Sequence, residues 1–179
     1  MAIYLVDTNV MLAASAVSEL SNLAGHAMPQ EIELRELAYT WLAEFEESDN
    51  KILLDEEGLI RAEYERNMPF NMREQEYGMK VLQHKIDHYL AEHVPIETLD
   101  ANGEHIAVLA PEHAAIVTDS EDRKWVDCAL AALEYLDETA PVVYGAETDW
   151  YVAEQALRAI GMDFRQLLPE GWYQQRVAP

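Results

Sequence analysis

The chain has 179 residues and is 50% hydrophobic, which suits one domain with a sizeable core and excludes global disorder. Its 34 acids against 12 bases give a formal net charge of -22, which disfavours loose, non-specific binding to nucleic acid but leaves room for an enzyme with metal ions and a local basic strip. Cys128 is the single cysteine, so an intramolecular disulfide and a Cys-rich zinc site are excluded. No stretch approaches the ~18 apolar residues of a membrane span, and MAIYLV lacks the basic region of a secretory leader. The expectation is a soluble, cytoplasmic protein with no membrane partner.

Residues 2–6 read as a buried strand of the kind found at the centre of a parallel sheet. Residues 11–24, rich in Ala, Leu and Ser, are expected to be helical. A second helix carries Leu34, Leu37, Ala38, Trp41, Leu42 and Phe45 on one apolar stripe and ends at Ser48, Asp49 and Asn50. The segment 51–54 (KILL) is the next strand, and Asp55 is placed to cap the helix EEGLIRAEYERNM. Pro69 breaks that helix. A longer one follows, with Met79, Leu82, Ile86, Tyr89 and Leu90 at helical spacing.

In PIETLDANGEHIAVL, Asn102-Gly103 separates two alternating runs, the strongest short hairpin signal. Thr118, Asp119 and Ser120 precede a helix over about 121–139, residues 141–144 form a strand, and 149–160 form a helix stopped by Gly161. Residues 164–168 are the last expected strand, and the tail GWYQQRVAP carries no signal. Alternating strands and helices argue an α/β fold with a mostly parallel sheet.

Open parallel sheets place their sites beyond the carboxyl ends of their strands. Asp7 lies at such an end, and Glu147 and Asp149 lie just past PVVYG. Asp122 opens the helix that feeds that strand. Glu63 lies on the helix after KILL, on a face shared with Leu59, Ile60 and Asn67. Gathered carboxylates repel one another and take up protons unless a cation joins them. Hard oxygen ligands favour Mg²⁺ or Mn²⁺, which suits metal-assisted phosphodiester hydrolysis. Taken singly, each acid also has a plain structural reading: Asp7, Asp122 and Asp149 suit helix starts, and Glu63 suits a solvated face.

Taken together, VDTNV at a strand end, the EY pair after the second strand, DRKWVDCAL, and ETDWY after a later strand resemble the PIN-domain nucleases. The resemblance runs from Met1 to about Leu168. It implies a three-layer α/β/α fold around a mostly parallel sheet, with a small β-hairpin addition at about 94–110 and a C-terminal tail at 169–179. It implies a Mg²⁺- or Mn²⁺-dependent endoribonuclease acting on single-stranded or structured RNA. A toxin role, an antitoxin-like protein partner and a homodimer follow by the same analogy.

Carried over by position, Asp7, Glu63, Asp122 and Asp149 are the catalytic, metal-holding acids, and Asn9 supports Asp7 by hydrogen bonding. Where many relatives have T-x-D-x-D-F, this chain has Gly145, Ala146, Glu147, Thr148, Asp149 and Trp150. Glu147 is long enough to reach a metal as well, and Thr148 offers a displaced hydroxyl. These departures keep open an alternative, a weak or inactive PIN-like binding or scaffold module. Asp119 and Asp127 compete with Asp122 for the third position, Asp127 more strongly.

Residues 61–85 are the one stretch that is not acidic: Arg61, Arg66, Arg73, Lys80 and Lys85 face Glu63, Glu65, Glu74 and Glu76. Arg61, Arg66 and Arg73, with Arg123 and Lys124 beside Asp122, are the candidate substrate contacts. Tyr64, Phe70 and Tyr77 add rings able to stack on unpaired bases, whereas pairs such as Glu76 with Lys80 suit ordinary helix ion pairing. His84, His88 and His93 form no HExxH pattern and read as solvated, and Cys128 reads as buried packing. An aspartate-nucleophile phosphatase wants a second acid two residues after Asp7, where Asn9 stands.

Overall fold

The computed structural model describes residues 1–70, 75–101, 104–117 and 119–177. The expected hairpin turn Asn102-Gly103, the candidate contact Arg73 and the helix-preceding Thr118 lie outside them. The first strand, β1 (Ile3–Val6), runs into α1 (Thr8–Ser15), and α2 (Ile32–Glu47) then leads to β2 (Lys51–Asp55). Two helices, α3 (Leu59–Asn67) and α4 (Tyr77–Asp87), connect to β3 (Ala91–Val94). The antiparallel pair β4 (Thr98–Ala101) and β5 (Glu104–Ala107) forms a separate two-stranded sheet, as the Asn-Gly signal leads one to expect. A short α5 (Pro111–Ala114) and α6 (Arg123–Leu136) precede β6 (Val142–Tyr144). The chain closes with α7 (Thr148–Ala159), β7 (Phe164–Gln166) and α8 (Glu170–Val177).

Five parallel strands build the central sheet in the order β3-β2-β1-β6-β7. The three central strands, β2, β1 and β6, carry the buried apolar run. Leu5, Val6, Ile52, Leu53, Leu54, Val142 and Val143 are all buried, as a parallel sheet covered by helices requires. Helices flank the sheet, an α/β arrangement in keeping with three layers: α1 packs on α2 and α4, and α6 packs on β2 and β3. The chain starts at β1, moves outward through β2 and β3, then returns to lay β6 on the other side of β1. The reversal opens a crevice between the ends of β1 and β6, where open α/β sheets hold their ligands.

The structure departs from expectation in several places. The first helix starts at Thr8 and stops at Ser15, well short of residue 24. The segment beyond it is organised by buried Arg35, whose guanidinium donates to the carbonyls of Ala16, Ala24, Ala27 and Pro29. Those carbonyls find a cation in place of helix amides, a long-range contact that periodicity cannot show. Tyr89 is not on the apolar stripe of α4; it lies past the helix end with φ 58° and is exposed. Leu90 N–H there returns to the Lys85 carbonyl at 2.8 Å, which ends the helix and starts β3.

Lys85 is not part of a basic strip, because it is buried, donates to the Ser48 carbonyl at 2.7 Å and lies over the Phe45 ring. The edge strand β3 escapes prediction because AEHV is short and half exposed. The tail forms α8, which buries Trp172 and Tyr173 and packs on α7. Among the described residues, no helix is long and apolar enough to cross a membrane.

Candidate functional site

Asp7 leaves β1 and caps α1 with a carboxylate that is only 5% exposed. Its Oδ1 accepts from the Asn9 backbone N–H at 2.8 Å, and its Oδ2 accepts from Trp150 Nε1 at 2.9 Å. The N-cap reading of Asp7 is therefore correct, but it occupies one oxygen only. Burial, against the relief given by Trp150, pushes its pKa up to about 7, and the neighbouring Glu147 and Glu63 add to the rise. Trp150 is a site residue that the sequence reading treats as no more than an aromatic neighbour of Asp149.

Glu147 ends the turn after β6 and caps α7, accepting from the Asp149 N–H at 3.2 Å. Its other oxygen accepts from Asn9 Nδ2 at 2.9 Å. Asn9 thus supports Asp7 through its backbone, while its side chain holds Glu147. Burial, and then the charge of Asp149, raise the Glu147 pKa against the hydrogen bonds it receives. The turn itself is pinned at Gly145, whose carbonyl takes the Glu147 N–H at 2.8 Å and the Tyr173 hydroxyl at 2.5 Å. A Cβ at Gly145 would meet Val10 at an ordinary 3.7 Å, so the glycine answers no steric demand here.

Asp122 precedes α6 and makes no capping hydrogen bond through its side chain. Burial, then the charges of Asp119, Glu147 and Asp149, raise its pKa to about 7. Asp119, Asp122 and Asp149 line one cavity of about 210 Å³ with Trp150, Ile116 and Val152. Asp119 also accepts the Glu121 N–H at 2.9 Å, as a loop residue does. Asp127 has a different occupation: its carboxylate accepts the Glu97 N–H at 2.9 Å and ties α6 to the approach of β4. Asp122, and not its rival Asp127, shares a cavity with Asp149.

Glu63 reaches the same edge from α3. Tyr64 beside it is buried and donates its hydroxyl to the Val6 carbonyl, which fixes that helix to the tip of β1. Glu63 Oε1 accepts from the Thr8 hydroxyl at 2.5 Å, and Oε2 pairs with Lys124 Nζ at 2.7 Å. Thr8, immediately after Asp7, escapes the sequence reading, although its place in VDTNV is the signal that could have found it.

Lys124 is buried, not a surface cation, and it also donates to the Glu121 carbonyl. A cavity of about 370 Å³ opens beside this pair, walled by Leu59, Ala62, Arg66 and Ile106 of the hairpin. Arg66 pairs with Glu121 at 3.2 Å and Arg61 with Glu65 at 2.9 Å, both at the surface. Half-buried Arg123 keeps an Nε that has no hydrogen-bond partner. His84 and His88 stack at the end of α4 with ring centroids 4.1 Å apart, and Cys128 is fully buried.

Among the described residues, no three His, Cys, Asp or Glu side chains already converge as a metal-holding group. The donor chemistry nonetheless fits a hard divalent ion. The groups are carboxylates, and burial first, then neighbouring carboxylates, raise two of them, Asp7 and Asp122, to about 7, a cost that a divalent cation bound among them would offset. No protein-family model matches this chain, and no curated protein or solved structure matches it at a significant level.

Proposed function

We propose that this chain is a PIN-like, metal-dependent phosphodiesterase, an endoribonuclease in its substrate class. The observation that carries the reading is Glu147 at the β1/β6 crevice: Asn9, two residues after Asp7, holds its carboxylate at 2.9 Å, and its charge raises both Asp7 and Asp122, which are far apart in the chain. Asp7, Glu147, Asp122 and Asp149 would hold Mg²⁺ or Mn²⁺. A bound ion of this kind supplies a polarised phosphoryl oxygen and an acidified water. Trp150 and Asn9 orient the Asp7 and Glu147 carboxylates for that task.

Two cavities border the acids, one lined by Glu63, Arg66 and Lys124 and the other by Asp122 and Asp149, and we read them as the course of an unpaired strand. Surface ion pairs such as Arg66–Glu121 are worth little and exchange readily for a phosphate. RNA as the substrate, a toxin role, an antitoxin-like partner and a homodimer rest on the resemblance alone.

One observation favours a second reading, a metal-free scaffold: Glu63 already has a lysine as its counter-charge. Cleavage of a single-stranded RNA with Mn²⁺ present separates the two. The wild type cleaves and EDTA stops it, while Asp7→Asn reduces the rate by at least about a hundredfold, more than ~2.7 kcal/mol of barrier. Wild-type cleavage rates in Asp7→Asn would remove Asp7 from the site, and no cleavage by either protein would favour the scaffold.

A further inference from the structure

The acids at the crevice divide into two sets by what neutralises them. Glu63 has both oxygens engaged by this chain, one by the Thr8 hydroxyl and the other by the Lys124 ammonium at 2.7 Å. Lys124 is itself fixed, with its side chain only 7% exposed and its Nζ also against the Glu121 carbonyl and, at 3.4 Å, the Glu121 carboxylate. Asp7 and Glu147, by contrast, are held by neutral donors alone: Trp150 Nε1, Asn9 Nδ2 and backbone amides. Asp122 makes no capping bond and faces the cavity that Asp149 lines.

We infer that Lys124 is the built-in counter-charge of Glu63, so that the chain takes one divalent ion, on the Asp7–Glu147–Asp122–Asp149 side, and Glu63 is not a ligand. The inference rests on the metal-dependent reading above and refines its site. A dication brought against Glu63 must approach an ammonium already bonded to that carboxylate, and like charges at a few ångströms repel strongly in a partly buried site. The ion pair instead presents a fixed, net-neutral wall between the metal side and the larger cavity. Its lysine sits where a second ion would otherwise be needed to balance Glu63. Lys124 is a positioning residue in this account: it acts through Glu63 and through the number of ions admitted.

Calorimetric titration of the full chain with Mn²⁺ tests this without reference to catalysis. The wild type binds one Mn²⁺. Lys124→Met frees Glu63 and admits a second ion, while Lys124→Arg keeps the stoichiometry at one. The paired variant Glu63→Gln with Lys124→Met removes both charges, and it binds one Mn²⁺ with a dissociation constant within about threefold of the wild type. That variant carries the test if Lys124→Met fails to fold. A wild type that binds two ions overturns the inference. So does a paired variant that loses Mn²⁺ affinity tenfold or more, since Glu63 is then a ligand, ~1.4 kcal/mol being the corresponding difference. A folded wild type that takes up no Mn²⁺ removes the metal-dependent reading and this inference together, whereas one that binds two leaves the reading standing.

Discussion

Asn9 and Glu147 stand 138 residues apart in the chain and are joined by a 2.9 Å hydrogen bond from the Asn9 amide to the Glu147 carboxylate. That bond clips the end of β1 to the turn after β6 across the crevice. It has a direct consequence for Asn9→Asp, which replaces a donor by a like charge facing Glu147. Urea denaturation at pH 8 without metal is expected to show a loss of about 1–3 kcal/mol. An unchanged midpoint would mean that this bond does not hold the crevice together.

Trp150→Phe removes the indole N–H from Asp7 while keeping an aromatic ring in the core. A buried carboxylate that loses one of its two donors is expected to cost about 1–3 kcal/mol at pH 8. The loss is smaller at pH 5, where Asp7 is protonated, because the Trp150 bond favours the charged form. Denaturation at the two pH values checks this, and an equal loss at both would contradict it.

Without metal, stability is expected to fall as pH rises. Asp7 and Asp122 both have folded pKa values raised from the usual 3.8 to about 7. Between those values the folded chain holds protons that the unfolded chain has released. Stability from these groups is therefore greatest at the acid end of that window and declines toward neutral pH, where the decline levels off. Asp7→Asn flattens the slope, because one of the two protonation differences is gone. Urea midpoints from pH 5 to 8 measure it, and a wild type that gains stability over this range would count against the burial of Asp7.

Strand β1, strand β2, the strand before Glu147 and the positions of Asp7, Asp122 and Asp149 at element ends were all legible, because buried parallel strands read as apolar runs and their ends are where polar residues return. Trp150 was not legible as a site residue, since its role is a long-range hydrogen bond to Asp7 that no spacing encodes, and Thr8 was marked only by its place beside Asp7, its partner Glu63 being 55 residues away. Lys124 was visible as a charge beside Asp122, but its burial against Glu63 depends on how α3 and α6 pack. Segment 16–31 misled for a related reason: its carbonyls answer to Arg35, one helix further on.

Gly78 reports on the scaffold beneath the site. A Cβ there would stand 2.8 Å from Met11 Cβ and 3.0 Å from the Met11 carbonyl, at the contact of α4 with the helix that Asp7 caps. Gly78→Ala is expected to destabilise by about 1–3 kcal/mol, through a shift of α1 against α4. Chemical denaturation reads the loss, and a variant as stable as the wild type would mean that the two helices separate freely.

The central claim is that Asp7 and Asp122 belong to one site for a divalent ion, and thermal unfolding at pH 7.5 with and without Mn²⁺ tests it most directly. The account predicts that millimolar Mn²⁺ raises the Tm of the wild type, since binding to the folded state alone stabilises it by mass action. It predicts that the rise is lost in Asp7→Asn and, independently, in Asp122→Asn. A wild-type Tm indifferent to Mn²⁺, or a rise that survives both substitutions, would contradict it.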